Sequence, residues 1–239
     1  MFRFFIDSED CIGEEYIQIS SKDYNHIVNV ARIKPTEAFE LVYKNRIYKV
    51  KLDGENADRA VIESFYTGEN EAETKIRLFF GILKGSRIDF VFQKCTEIGV
   101  YEFFPVEMDR SIVKTQGKEK NKVDRWQKIV EEAAKQSKRD FVPNVNTILD
   151  SNEMIELLKG QSSIIIPYEL EEKTSLKEVL TNNDDDIINL IIGPEGGFSE
   201  REITELNAIG GMTITLGKRI LRGETASVVT AANIIYEKN

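Results

Sequence analysis

Residues 191–200 read Ile-Ile-Gly-Pro-Glu-Gly-Gly-Phe-Ser-Glu, an apolar strand that enters a glycine-rich turn and then a helix beginning near Ser199. Glycines let backbone N–H groups approach a ligand because no Cβ stands in the way, and the first turn of a helix adds N–H groups without intrahelical partners. The spacing matches neither the dinucleotide-binding fingerprint nor the P-loop. From geometry alone, a ligand cradle and a tight strand-to-helix turn are equally good interpretations.

A second glycine turn follows the next strand, in residues 216–225, which read Leu-Gly-Lys-Arg-Ile-Leu-Arg-Gly-Glu-Thr. A third apolar strand ends at residues 166–169, which read Ile-Pro-Tyr-Glu. In open α/β sheets, ligands bind beyond the carboxyl ends of the strands. We therefore expect these segments to line one pocket.

Strands and helices alternate from Lys75 onward, which predicts an α/β domain with a mainly parallel sheet. The predicted strands are 76–83, 163–167, 187–192 and 212–216, and the predicted helices are 122–138, 176–180, 200–208 and 225–237. A further helix has an apolar stripe at Ile88, Val91, Phe92, Cys95 and Ile98, and it ends at Gly99.

The first part of the chain is different, because it is rich in short strands. They are predicted at residues 2–6, 15–19, 38–43, 46–52 and 60–66, with a helix between 21 and 32, and they indicate a small barrel or sandwich. The polar segment 67–74 lacks periodicity and predicts a boundary between domains 1–70 and 75–239.

The net charge of −9 is unfavourable for a protein that coats nucleic acid by bulk attraction. Between Arg110 and Arg139, however, ten Lys or Arg face four Asp or Glu, which makes a basic segment or a solvated helix face. Cys11 and Cys95 lack the spacing of a disulfide framework or a zinc site, so no metal is expected. We see neither a signal peptide nor a membrane span, and we expect a cytoplasmic protein.

Several motifs together resemble one family. They are Lys84 through Lys94, Glu97 to Val100, Arg110-Ser111, Arg125-Trp126, Ala133, Gln136-Ser137, Arg139, Pro143, the turns 193–197 and 216–226, and, in a shorter match, His26-Ile27 and 30–32. With them the sequence resembles the ribosomal small-subunit (16S) RNA uridine-N3 methyltransferases of the SPOUT, or α/β-knot, superfamily. It departs from that family's pattern at Gly223, where a residue with a side chain is usual.

The resemblance implies a PUA-like RNA-binding domain in residues 1–70 and a SPOUT trefoil-knot methyltransferase domain in residues 75–239. It also implies that S-adenosylmethionine is the cofactor, that the chain forms a homodimer, and that the partner is 16S ribosomal RNA in the small subunit. Membrane and metal are not among the implied partners. Topology rules alone favour an unknotted, doubly wound sheet.

The resemblance also implies site residues. Cofactor binding is expected from Ile166, Pro167, Tyr168, Gly193, Pro194, Glu195, Gly196, Gly197, Leu216, Gly217, Ile220, Leu221, Arg222, Thr225 and Ala226. Catalysis is expected from Arg219, Arg222 and Glu224, and RNA binding from Arg32, Lys84, Arg110, Arg125, Gln136 and Arg139.

The residues themselves leave alternatives open. The arginines could instead form ion pairs with Glu195 or Glu224. His26 is better read as a surface or RNA-contacting residue, or as one without a role, than as a general base, and Trp126 is better read as a core residue than as a stacking platform. A non-catalytic RNA-binding or ribosome-assembly module would use the glycine turns only as turns. A SPOUT methyltransferase that acts on another RNA nucleotide would share the same cofactor loops.

Overall fold

The computed structural model describes residues 1–6, 8–54, 56, 58–115, 117 and 119–238, and for Lys22 the backbone only. The described residues divide into two compact units, Met1–Glu71 with Ala134–Val142, and Ala72–Ala133 with Pro143–Asn239. The first unit thus includes a segment from far along the chain. A boundary placed by polar composition cannot anticipate such a segment.

The first unit is β-rich, as the sequence predicts. Its strands are β1 (Arg3–Phe5), β2 (Tyr16–Gln18), β3 (Phe39–Tyr43), β4 (Arg46–Leu52) and β5 (Arg59–Thr67). They form a sheet in the order β1-β3-β4-β5-β2, in which β1 runs parallel to β3 and the other adjacent strands are antiparallel. Its apolar core includes Ile17, Ile27, Phe39 and Val50, all of which are fully or almost fully buried.

The helix predicted over residues 21–32 is shorter than expected. It consists of α1 (Ser21–Asn25) followed by a π-helical turn, His26–Val30, and a short 3-10 turn, Glu9–Cys11, precedes β2. Arg32 has a φ of 55°, so the chain leaves helical geometry before Pro35.

The second unit alternates strands and helices. Its elements are β6 (Lys75–Gly81), α2 (Ser86–Ile98), β7 (Glu102–Glu107), α3 (Glu119–Ser137), β8 (Asn144–Val145), β9 (Leu149–Asp150), α4 (Ser151–Leu158), β10 (Ile164–Pro167), α5 (Leu176–Thr181), β11 (Ile187–Ile192), α6 (Glu200–Ala208), β12 (Met212–Ile214) and α7 (Gly223–Lys238). The last turn of α3 belongs to the first unit.

The sheet of the second unit has the order β12-β10-β11-β6-β7-β8, with β9 also beside β7. Within the described ranges, all of its strand pairs are parallel. The expected α/β class with a mainly parallel sheet is confirmed. The strands β6, β10 and β11 are almost entirely buried because helices cover a parallel sheet, so they appear in the sequence as continuous apolar runs.

The apolar stripe of α2 faces this core, as predicted for Val91, Phe92 and Cys95, and the helix ends at Gly99 with a φ of 122°. Trp126 of α3 is 2% exposed and stacks on Phe92 with ring centroids 5.2 Å apart. The interpretation of Trp126 as a core residue is therefore confirmed.

Some element boundaries differ from the prediction. The strand expected to reach Leu83 ends at Gly81. The loop after β11 passes close to this residue, since a Cβ on Gly81 would lie 2.5 Å from the backbone nitrogen of Pro194. The strand β12 ends at Ile214 instead of 216, and α7 begins at Gly223 instead of 225. Four elements are not predicted from the sequence: β7, β8, β9 and α4.

Candidate active site

The candidate site lies at the carboxyl ends of neighbouring parallel strands. Pro167 at the end of β10 is paired with Ile214 at the end of β12, and β10 also pairs with β11. Ile192 at the end of β11 is paired with Phe80 of β6. The loops after β10, β11 and β12 therefore leave the sheet at one edge, where parallel sheets bind their ligands.

Contacts between the loops show how closely they meet. A Cβ on Gly197, which has a φ of 68°, would lie 2.6 Å from Oε1 of Glu169 in the loop after β10. A Cβ on Gly223 would lie 3.2 Å from the carbonyl oxygen of Gly193 and 3.2 Å from Cδ2 of Leu83. The structure thus brings together the segments 166–169, 193–197 and 216–226, which the sequence analysis grouped.

Glycine is required in the loop after β11 by its protein neighbours. A Cβ on Gly196 would lie 2.9 Å from both Cβ and the carbonyl oxygen of Arg110, and the Gly197 N–H donates to the Pro194 carbonyl oxygen at 2.9 Å. Packing alone therefore explains the glycines at 196 and 197. A ligand-binding role for this loop needs other support, which comes from its unpaired polar atoms.

The arginines of the loop after β12 are exposed. Within the part of the chain that the structure describes, neither Arg219 nor Arg222 has an ion-pair partner. The Arg222 carbonyl oxygen accepts a hydrogen bond from the Ala226 N–H at 2.8 Å, which begins α7. The alternative that these arginines pair with Glu195 or Glu224 is not what the structure shows, so both guanidinium groups are available to a ligand.

Glu195 pairs with α2 instead. Its Oε1 accepts a hydrogen bond from the Lys84 N–H at 2.9 Å and lies 3.1 Å from Nη2 of Arg87. Its Oε2 is buried, and so is Oε2 of Glu224; neither oxygen has a hydrogen-bond partner among the described residues. Leaving a buried charged acceptor unpaired costs at least about 1–3 kcal/mol, so each oxygen marks a place where a ligand donor is expected.

The remaining predicted cofactor residues differ in exposure. Ile166, Pro194 and Ala226 are buried, Pro167, Tyr168, Leu216 and Leu221 are half-buried, and Gly217, Thr225 and Ile220 are exposed. Ile220 is 85% exposed, which is unusual for a large apolar side chain in a loop. Gly217 has a φ of 99° and no heavy atom near its Cβ position, so its backbone conformation alone requires glycine.

A polar network, missed by the sequence analysis, holds the loop after β11 in place. Glu202 is fully buried and accepts hydrogen bonds from the N–H of Asp109, the N–H of Ser199 and the hydroxyl of Ser151. Ser199 and Glu202 form a capping box at the start of α6. Their Ser-x-x-Glu spacing is visible in the sequence and indicates the start of a helix. The network fixes the end of the loop to which Gly197 belongs.

Asp109 joins the same network from the end of β7. Its carboxylate accepts hydrogen bonds from Nη2 of Arg201 at 2.8 Å and from the hydroxyl of Ser199 at 2.6 Å. Arg201, followed by Ser199, holds the pKa of Asp109 below its ordinary value. The neighbouring Arg110 is exposed, with Nη1 3.4 Å from the Gly196 carbonyl oxygen.

The predicted RNA-binding residues are divided between the two units. In the second unit, Lys84 and Arg110 are exposed, and Arg125 is held by Asp89 through two hydrogen bonds of 2.8 Å. In the first unit, Arg32 and Gln136 are exposed, whereas Arg139 is 3% exposed. The basic segment also contains Lys118, which lies outside the described residues.

The prediction that Arg139 contacts RNA phosphates requires correction. Its Nε donates to both carboxylate oxygens of Glu71 at 2.9 Å, and its Nη2 lies 2.7 Å from Oε2 of the same residue. The guanidinium also lies 4.9 Å from the ring centroid of Phe141. A side chain so enclosed is a structural ion pair, and it is not on a surface that a phosphate can reach.

His26 lies in the first unit, half-buried and edge-on to Phe4 with ring centroids 5.6 Å apart, which fits a packing role. Among the residues that the structure describes, no cluster of three or more His, Cys, Asp or Glu side chains could hold a metal ion. No helix in the described ranges is long and apolar enough to cross a membrane.

Comparison with known proteins finds similar sequences over almost the whole chain. Residues 70–235 match the family described as the RNA methyltransferase domain. The chain is 36% identical to the ribosomal RNA small subunit methyltransferase E of Mesomycoplasma hyopneumoniae, over 99% of this chain and 100% of that protein. It is 32% identical to the protein of the same name from Bacillus subtilis, over 99% and 97% of the two chains.

A solved structure is similar over the same extent. It is the ribosomal RNA small subunit methyltransferase E from Neisseria gonorrhoeae bound to S-adenosyl methionine, with a TM-score of 0.87 and 30% sequence identity. The similarity covers 98% of this chain and 96% of that one. Both units, and not only the one with the parallel sheet, therefore have counterparts in that protein.

Proposed function

This chain belongs to the RNA methyltransferase family, and from that membership we propose that it methylates N3 of a specific uridine in 16S ribosomal RNA, using S-adenosylmethionine. The observation that carries the proposal is the meeting of the loops after β10, β11 and β12 at one sheet edge. That edge occurs in a chain whose solved relative holds S-adenosyl methionine.

The loop residues fit this cofactor. S-adenosylmethionine carries an amino group, hydroxyl groups and a positively charged sulfonium, all of which complement a buried carboxylate oxygen without a partner, such as Oε2 of Glu195. The proposed cofactor-binding residues are those of the three loops: Ile166, Pro167, Tyr168, Gly193, Pro194, Glu195, Gly196, Gly197, Leu216, Gly217, Ile220, Leu221, Arg222, Thr225 and Ala226.

When bound, S-adenosylmethionine supplies an electrophilic methyl group, which bonds to N3 of the uracil while the carbon–sulfur bond breaks and S-adenosylhomocysteine leaves. N3 must first lose its proton, and Glu224 is the proposed acceptor because its carboxylate has no hydrogen-bond partner among the described residues and its Oε2 is buried. Loss of the proton spreads negative charge over O2 and O4 of the ring. The guanidinium groups of Arg219 and Arg222, exposed and without ion-pair partners among the described residues, are proposed to stabilise that charge.

RNA binding is proposed for the exposed polar side chains. Lys84 and Arg110 lie beside the loop after β11, since the Lys84 N–H binds Glu195 and Arg110 contacts Gly196. Arg32 and Gln136 are exposed on the first unit. Arg125 is also proposed to bind RNA, and a phosphate would then compete with Asp89 for its guanidinium group. Such contacts position the RNA without reading its sequence.

The family resemblance also supports proposals about the domains, the oligomeric state, the substrate and the location. The β-rich residues 1–70 are proposed to be a PUA-like RNA-binding domain, and residues 75–239 a trefoil-knotted SPOUT domain that forms a homodimer. The proposed substrate is the small ribosomal subunit or its folded RNA, because a uridine must leave any base stack to reach a buried cofactor. The proposed location is the cytoplasm, where that RNA is assembled.

The test is methyl transfer from labelled S-adenosylmethionine to 16S RNA, and to small subunits, that lack the modification, followed by nucleoside analysis. Label recovered as 3-methyluridine supports the proposal. Label in another nucleoside would make the chain a methyltransferase of the same superfamily with a different target. Absence of transfer together with absence of cofactor binding by calorimetry would leave a non-catalytic RNA-binding module. Light scattering at micromolar concentration tests the dimer.

A further inference from the structure

An open groove of about 700 Å³ lies beside the loops of the candidate site. It is formed by the outward face of α2, the first turn of α7 and one residue of α3. The residues that matter here are Arg87, Phe90, Gln93, Ile129, Glu224 and Thr225. Its volume is within the range of about 300–1,000 Å³ that is typical of sites for small molecules, so it has room for a nucleoside.

The groove adjoins the proposed cofactor loops through α7. Glu224 and Thr225 line the groove and also belong to the segment 216–226. The preceding residue, Gly223, approaches the Gly193 carbonyl oxygen, so the groove and the loop after β11 meet at the start of α7. A group bound in the groove therefore lies next to the place where the methyl group would be delivered.

The groove is lined by an aromatic ring, that of Phe90, which is not buried in the core. Phe90 is 43% exposed, whereas its helix neighbours Val91 and Phe92 are fully buried. An exposed phenyl ring beside a cavity is suited to stacking on a base, which is how single-stranded and extruded nucleotides are commonly held. The cation of Arg87 does not compete for this role, because it is paired with Glu195 at 3.1 Å.

The hydrogen-bonding groups of the groove are complementary to uracil. Glu224 lines the groove, and its carboxylate has no hydrogen-bond partner among the described residues, so a turn of this group presents an oxygen that accepts from N3–H, which uracil has. Gln93 is exposed, and in the described part of the chain its amide has no partner, so its NH₂ group is free to donate to a ring carbonyl oxygen. Cytosine lacks the N3 proton, and its N3 lone pair would face the carboxylate.

We propose that this groove binds the target uracil, with Phe90 stacked on the ring, Gln93 donating to a ring carbonyl oxygen and Glu224 accepting from N3–H. The inference rests on the proposed function and adds the residues that select the base. Glu224 supplies the discrimination against cytosine, because an amide such as that of Gln93 can turn to serve either a carbonyl or an amino group. A site built in this way rejects an analogue that leaves its polar groups unpaired.

The first experiment compares Phe90→Ala and Gln93→Ala with the parent protein in methyl transfer to unmodified small subunits. Both side chains are exposed, so the variants are expected to fold and to keep cofactor affinity within about twofold. We expect kcat/KM to fall by roughly 5- to 150-fold for Phe90→Ala, the range for loss of one stacked base. Phe90→Tyr should restore most of it. Tyr236→Ala is the matched control, because Tyr236 is an exposed aromatic residue of α7 outside the groove.

The second experiment measures contact without turnover. Small-subunit RNA with 5-iodouridine at the methylated position, as found by nucleoside mapping, is irradiated with the protein, and the cross-linked peptide is identified. Cross-linking to the α2 peptide that contains Phe90, lost in Phe90→Ala, is the expected result. Cross-linking elsewhere, or unchanged kcat/KM in both alanine variants, would overturn the inference while the proposed function stands. A change of mass in light scattering that accompanies lost activity would assign the groove to a second copy of the chain. If the parent protein transfers no methyl group to any RNA, both proposals fail.

Discussion

Replacement of Arg139 by alanine separates a structural role of this residue from a role in RNA binding. The guanidinium is buried, and it makes its ion pair with Glu71 inside the first unit. Breaking a fully buried pair costs about 3–5 kcal/mol, but the Glu71 side chain is 22% exposed and also accepts the Asp140 N–H, so solvent and that donor retain part of its stabilisation. We therefore expect a loss of about 2–3 kcal/mol.

At about 2–4 °C per kcal/mol for a chain of this size, the variant should melt roughly 4–12 °C lower in scanning calorimetry. Lys138→Ala is the matched control, since Lys138 is the adjacent basic residue and its side chain is exposed. That control should change the melting temperature little. Both variants should be compared well below their melting temperatures, where each is folded.

The RNA measurement uses fluorescence anisotropy with small-subunit RNA at several salt concentrations. Arg139→Ala should keep the affinity of the parent protein within about twofold, with the same salt dependence. Arg110→Ala should weaken binding and reduce the slope of log K against log salt by about one, as expected for a lost phosphate contact. The reasoning is refuted if Arg139→Ala melts normally and yet shows the reduced slope.

Other predictions follow from the site. Gly81→Ala places a Cβ about 2.5 Å from the Pro194 backbone, so it should displace the loop after β11 and weaken cofactor binding more than tenfold in calorimetry; Gly54→Ala, with open space around its Cβ, is the control and should bind normally. Arg219→Ala should lower the rate of methyl transfer by about 100- to 1,000-fold with cofactor affinity unchanged, whereas Lys218→Ala should not lower it. Equal effects of the two would mean that any positive charge in this loop suffices and that Arg219 has no specific contact. The pKa of Asp109 is lowered in the folded state, so its contribution to stability is present above the ordinary value of 3.8 and is lost as the pH falls below that value. In Asp109→Asn the melting temperature should therefore fall less steeply with decreasing pH in this range. An unchanged fall would assign the acid sensitivity to other carboxylates.

The sequence predicted the elements whose pattern is local. Ser199 and Glu202 are three residues apart and define the start of α6, and the stripe of Val91, Phe92 and Cys95 defines the buried face of α2. It did not predict β7, because Pro105 interrupts a short apolar run and lacks an N–H group, although the strand tolerates it beside Phe80. The helix α4 was missed despite a capping box at Asp150 and Glu153, which was a usable signal.

Long-range partners could not be read from the sequence. Arg139 sits in a basic segment, and its neighbours along the chain suggest a solvated cation; its burial depends on Glu71, 68 positions earlier. Phe90 and Gln93 lie on the face of α2 opposite to the apolar stripe, where sequence alone gives no reason to prefer a ligand to water. The role proposed for them depends on α7, which brings Glu224 to the same groove.

The unpaired atoms suggest why the site has this form. Among the described residues of the second unit, the buried side-chain atoms without partners are Nε1 of Trp126, Oγ1 of Thr230, and the Oε2 atoms of Glu195 and Glu224. The first two are neutral and cost about 1–3 kcal/mol each when left unpaired, whereas an unpaired carboxylate oxygen costs more in a low-dielectric site. Glutamine has the same shape and removes the charge from the buried oxygen. At position 195 its oxygen would still accept from the Lys84 N–H, and loss of the pair with the partly exposed Arg87 costs little. Conversion of Glu195 or Glu224 to glutamine should therefore leave stability equal or higher while lowering cofactor binding for Glu195 and methyl transfer for Glu224, and a loss of stability in either variant would show that the carboxylate is kept for the fold.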